Sequence, residues 1–280
     1  LAANTDGYVA TSHPATVTDT ATMGQLAAID AFTTGTLTYG AISDTAANLF
    51  ANAGGYVSGS HAVTVTTAAT IAQLTGIDNN TTGVMTYGEV SDVAATLVTN
   101  AGAYVAGSHA VTVSNAASIA QLTTIDAFTT GVMTYGEVSD AAATLAANVG
   151  NYVSGSHAAT VTDAATIAQL TTIDGFTTGV LTYGTVADAA ATLANNAGGY
   201  VSGAHAVTVG DNATVAQLGA IDSYTTGVMT YGSLSDTAAN LFANSGNYVA
   251  GSHAVTVTTA ATVAQLTGID NNTTGVMTYG

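Results

Sequence analysis

Every histidine in the chain stands 48 residues from the next: His13, His61, His109, His157, His205 and His253. The same step carries Tyr8 through Tyr56, Tyr104, Tyr152, Tyr200 and Tyr248, and Asp30 through Asp78, Asp126, Asp174, Asp222 and Asp270. A period of this length, kept without one insertion, belongs to stacked supersecondary units that bury their apolar faces only against neighbours. Whatever one unit offers chemically is then offered about six times in a row. A longer period lies above it. Residues 236–280 match residues 44–88 at all but four positions, so a 192-residue block of four repeats is itself copied. Leu1-Ala2-Ala3-Asn4 aligns with Leu49-Phe50-Ala51-Asn52, and Tyr279-Gly280 with Tyr39-Gly40, so both ends fall in mid-repeat. The expectation is one solenoid array over residues 1–280, about six repeats cut from a longer series.

One repeat, residues 150–198, shows the local logic. Ala159-Thr160-Val161-Thr162 alternates small or apolar residues with Thr, as a half-buried strand does. Asp163 and its equivalents Asp19, Thr67, Asn115, Asp211 and Thr259 all carry an acceptor side chain and read as an N-cap column. Ile167, Leu170 and Ile173 then form one helical stripe, closed by the loop 174–179. In the second half, Val180-Leu181-Thr182-Tyr183 reads as a strand and Gly184 as a turn. Asp188, matching Asp44, Asp92, Asp140 and Asp236, reads as the next cap, and residues 189–197 as a short Ala-rich helix ended by Gly198. The predicted fold is therefore an α/β repeat solenoid: two strand–helix coils of about 24 residues per repeat, with a parallel sheet. Parallel strands stack about 4.8 Å apart and helices about 8–10 Å apart. If that mismatch is not absorbed, the alternative is a pure parallel β-solenoid.

Composition narrows the partners. The chain has no Lys or Arg against 17 acidic residues, a net charge of −17. Such a chain is repelled by nucleic acid and by anionic membrane surfaces, so no nucleic-acid partner is expected. No run of 18 apolar residues escapes interruption by Thr, Asn or Asp, so no membrane insertion is expected either. Charged residues make up only 6% and apolar ones 48%, which argues for a packed core rather than an acidic tail. Cys is absent, removing disulfides and thiolate metal sites.

Stacking converts each constant residue into a ladder. The structural ladders are His61, His109 and His157 at strand starts, and Asp44, Asp92 and Asp140 at helix starts. Rungs about 10 Å apart cannot share a zinc ion, whose bonds are near 2.1 Å. The Asp30 row is expected to close Asx-type turns onto residues such as Thr33 and Thr34. The candidate metal ligands are the loops Asp78-Asn79-Asn80 and Asp270-Asn271-Asn272, whose oxygens suit calcium. Ser60-His61 suggests a triad, but the acid six residues after each His is Thr67 and Thr259 in two copies. No enzyme is expected, and calcium is the one cofactor under consideration. Outward Thr64 and Thr66, continued by Thr86, would line one sheet face. Such Thr-x-Thr spacing is similar to the surface of β-solenoid ice-binding proteins.

The strings Ser43-Asp44-Thr45-Ala46-Ala47-Asn48-Leu49 and Ala68-Ala69-Thr70-Ile71-Ala72-Gln73-Leu74 resemble the tandem repeats of giant secreted bacterial surface proteins. These are the adhesin-like and S-layer-like proteins of cyanobacteria and proteobacteria. The resemblance covers the whole chain. It implies an extracellular, cell-surface location and a structural or adhesive role, often with calcium. The expected function is a segment of a filament, surface layer or adhesin stalk. The alternative is a calcium-stiffened adhesin or a Thr-array ice-binding module. Expected partners are further copies, head-to-tail or lateral, and cell-surface polysaccharide.

Overall fold

Thr-x-x-Gln, or Ser-x-x-Gln in one copy, recurs before the longer apolar stripes, and in the computed structural model, which describes all residues 1–280, each begins a helix. In chain order the helices are α1 (Met23–Asp30), α2 (Ala46–Ala51), α3 (Ile71–Asp78), α4 (Ala94–Thr99), α5 (Ile119–Asp126) and α6 (Ala142–Ala147). They continue as α7 (Ile167–Asp174), α8 (Ala190–Asn195), α9 (Val215–Tyr224), α10 (Ala238–Ala243) and α11 (Val263–Asp270). The odd-numbered helices carry a full capping box: Thr70 Oγ1 accepts from Gln73 N at 3.1 Å, and Gln73 Oε1 accepts from Thr70 N at 3.0 Å. The cap of α7 is thus Thr166, three residues beyond the predicted Asp163.

The even-numbered helices are six residues long and end on a left-handed asparagine, at Asn52, Asn100, Asn148, Asn196 and Asn244. Gly198, predicted to end α8, lies two residues past Asn196 in the turn that follows. Asparagine succeeds because its short polar side chain tolerates positive φ while bonding the chain ahead.

All strand pairs are parallel, as predicted, but they do not form one sheet. The second strand of each repeat is used twice. Met85–Thr86 pairs back onto Val63–Thr64, whereas Glu89–Asp92 pairs forward onto Ala110–Val113, with a bend at Gly88 between them. This second half-strand was not anticipated from sequence, which placed only a turn at that point. Val63 faces Ile42, 21 residues earlier, and Met85, 22 residues later. Two steps of pairing therefore advance 43 residues while the sequence repeats after 48, so each repeat is offset by five residues. The five-residue step falls between the two halves of one strand, so each small three-stranded sheet keeps an unbroken parallel register. The helices exclude an all-β solenoid, and no sheet closes into a barrel.

The chain divides into two compact units, Leu1–Gly136 and Glu137–Gly280. In the first, Leu26, Leu49, Leu74, Leu97 and Leu122 are fully buried, one leucine from each helix, beneath inward Val63, Val65 and Val111. The second repeats this with Leu145, Leu170, Leu193, Leu218 and Leu241. Within the first unit α2 packs on α3 and α4 on α5; within the second, α6 packs on α7, α8 on α9 and α10 on α11. No helix is long and apolar enough to cross a membrane.

Candidate functional site

The acceptor columns do cap helices, but the helices belong to the preceding coil. Asp44 Oδ2 accepts from Met23 N at 2.9 Å, and Met23 opens α1. Thr67 Oγ1 accepts from Ala46 N at 3.0 Å, Asp92 Oδ2 from Ile71 N at 3.1 Å and Asn115 Oδ1 from Ala94 N at 2.8 Å. In the second unit Asp163, Asp188, Asp211 and Asp236 serve Ala142, Ile167, Ala190 and Val215 in the same way. Every donor lies 21 residues before its acceptor. Only an acceptor is required, which is why Asp, Asn and Thr interchange at these positions. Asp140, another predicted ladder residue, accepts from Ala141 N at 2.8 Å through Oδ1.

Asp44 also accepts from Thr45 N at 2.7 Å and from the Asn48 amide at 2.8 Å, so one buried carboxylate closes two helix starts. Burial pushes its pKa upward, but the bonds from Asn48, Thr45 and Met23 outweigh it and the net shift is downward. A lowered folded-state value means the stabilisation is complete above the ordinary 3.8 and is lost as pH falls through the folded value. Asp44→Ala is expected to cost about 2 kcal/mol at pH 7. The gap between variant and wild type, followed by urea denaturation, should narrow below pH 4; a gap that stays constant to pH 2.5 would refute the assignment.

The His and Tyr ladders meet. His61 stacks on Tyr39 with ring centroids 4.2 Å apart, and Tyr56 meets Tyr39 edge-on at 6.1 Å. The Tyr39 hydroxyl donates to Tyr56 O at 2.9 Å, and the Tyr56 hydroxyl donates to Asp30 Oδ2 at 3.2 Å. His61 Nδ1 lies 3.0 Å from Gly40 O. A carbonyl only accepts, so Nδ1 carries the hydrogen. The cluster recurs around His109, His205 and His253. His157 opens the strand Ala158–Val161, and its backbone carbonyl accepts from Thr177 Oγ1 at 2.5 Å. Burial, then the Asp30 carboxylate, raise the Tyr56 phenol above its ordinary range. The Asp30 carboxylate is thus a partner for tyrosine; it is Asp30's backbone carbonyl that accepts from Thr33 N.

The loops singled out for calcium are helix ends. Asn79 and Asn271 are the C-cap residues of α3 and α11, while Asp78, Asn80, Asp270 and Asn272 are exposed beside them. Asp78 Oδ2 accepts from the Tyr104 hydroxyl at 3.4 Å, and the Asn80 amide donates to Gly76 O at 2.9 Å. No group of three or more His, Asp or Glu side chains is placed to hold a metal ion.

The residues after those loops were read from sequence as loop and as the receivers of an Asx-type turn, yet their own side chains form a dense hydrogen-bonded knot. Thr81 is buried, and its Oγ1 donates to Gly59 O at 3.1 Å and His61 O at 2.7 Å while accepting from Gly83 N at 2.9 Å. Thr-Thr-Gly stands at this place in all six copies, from residues 33–35 to 273–275. That invariance was the available clue.

The outer sheet face carries the expected hydroxyls. Ser43, Thr64 and Thr86 stand opposite one another across three strands, as do Ser91, Thr112 and Thr134. Two residues before Thr86 and Thr134 lies a valine that is almost bare: Val84 is 74% exposed and Val132 73%. The chain matches no known family pattern, no curated protein and no solved structure. No buried side-chain polar atom lacks a hydrogen-bond partner.

Proposed function

We propose that this chain is a segment of a structural α/β solenoid displayed outside the cell, part of a filament, surface layer or adhesin stalk rather than an enzyme. The observation that carries the reading is the cap supplied 21 residues on: helix starts such as those of α1 to α4 are closed by the coil that follows, so coils are built to continue. Continuation by identical contacts is how a repeat array gains length and stiffness. Electron microscopy of purified protein across a concentration series tests it. Filaments or sheets are expected; particles that remain single at every concentration would overturn the assembly reading.

The in-register rows Ser43–Thr64–Thr86 and Ser91–Thr112–Thr134 favour a second reading, an ice-binding face. The rows span only three strands before the sheet breaks, which makes this the weaker reading. Absence of thermal hysteresis at millimolar protein would dismiss it.

A further inference from the structure

The helical face is not uniformly closed. In most repeats a threonine stands at the fifth position of the long helix. Thr75 is such a residue: its Oγ1 donates to Ile71 O at 2.8 Å, and the position recurs as Thr123, Thr171 and Thr267. Two repeats lack it. Ala27 and Gly219 stand there instead, and each lines an open groove between its helix and the short one that follows. The α9–α10 groove encloses about 360 Å³ among Val215, Ala216, Gly219, Ala243, Ser245 and Tyr248. The α1–α2 groove encloses about 240 Å³ among equivalent positions including Met23, Gly24, Ala27 and Ala51. Ligand-sized pockets begin near about 300 Å³, so the α9–α10 groove lies within that range and the α1–α2 groove falls below it.

The same two repeats alone carry a phenylalanine on the neighbouring short helix. Phe50 follows Ala27 by 23 residues and Phe242 follows Gly219 by 23, whereas the repeats with threonine have Val98, Ala146 and Ala194. Phe50 leaves α2 over Gly76 of α3 and is 48% exposed; Phe242 does the same over Gly268 and is 49% exposed. Each open groove is therefore flanked by a half-bare aromatic ridge. None of the residues lining either groove, nor either phenylalanine, is charged.

We propose that the occupant of each groove is the phenylalanine of a second copy of this chain. Two copies meet helix face to helix face, Phe50 or Phe242 of each entering the open groove of the other. A hole and a knob side by side on one surface make a self-complementary contact of the two-fold kind. Charge favours this face as well. A chain with 17 acids and no Lys or Arg repels its own copies wherever acids meet, and no acidic residue lines either groove, the nearest named acid being Asp222 on the hydroxyl of Tyr248. The proposal rests on the structural reading above and supplies its lateral contact.

The test is sedimentation velocity of the full chain from micromolar to millimolar concentration, with two double variants. Ala27→Thr with Gly219→Thr fills the holes using the residue the other repeats already carry; a Cβ on Gly219 meets nothing nearer than 3.9 Å, so the fold is kept. Phe50→Ala with Phe242→Ala removes the knobs, and circular dichroism melting checks that they fold. Wild type should associate reversibly, and either double variant should raise the dissociation constant at least about tenfold. Variants that associate as well as wild type would overturn this contact and leave the array reading standing. A wild type that stays monomeric throughout would overturn both.

Discussion

Gly83→Ala is expected to destabilise the protein by about 3–5 kcal/mol, the effect of forcing an atom into occupied backbone. Gly83 has no unusual φ, so the requirement is space alone. A Cβ would stand 2.5 Å from the carbonyl carbon of His61 and 2.6 Å from Ser60 O. Neither neighbour can retreat easily. His61 O is bonded by Thr81 Oγ1, which also accepts from Gly83 N, so the strained atoms belong to one hydrogen-bonded knot. Gly88→Ala is the control: its Cβ meets nothing within 4 Å, and little change is expected. Urea midpoints for the two variants decide the matter, and equal midpoints would sink the steric account.

Asn148→Ala is expected to cost about 3 kcal/mol. Asn148 is buried at the end of α6 with φ of 42°, where alanine loses about 1–2 kcal/mol from its Cβ. Its amide also replaces a missing strand. Nδ2 donates to Val153 O and Oδ1 accepts from Val153 N, both at 2.9 Å. Deleting the amide leaves both groups of buried Val153 without a partner, worth about 1–3 kcal/mol. Asn148→Gly separates the two contributions, because glycine adopts the left-handed conformation freely. The glycine variant should recover about 1 kcal/mol of the alanine loss. If glycine restores wild-type stability, the amide bonds contribute nothing and the account fails.

Much of this fold could be read from residue order, and the failures share one cause. The stripe Ile167, Leu170 and Ile173 is buried as expected, and Val63 and Val65 face inward while Thr64 faces out, because periodicity reports directly on burial. Asp163 was assigned the correct chemistry and the wrong helix. A side chain that accepts from an N–H looks the same in sequence whether its donor is three residues ahead or 21 behind. Thr166-x-x-Gln169 carried the local cap and was legible as a capping box. The doubled use of residues 85–92 was not legible, since pairing partners are long-range choices made by the whole stack. The grooves at Ala27 and Gly219 were visible as substitutions in the columns, but only packing shows that they leave holes.

The backward caps give the chain a direction in time. A ribosome delivers residues from the N-terminus, and a helix such as α3 emerges with its first N–H still waiting for Asp92. Each coil is completed only when its successor arrives, so order spreads as a zipper closing one tooth behind the growing end. A stall within a repeat would leave one helix unlatched and every earlier one sealed.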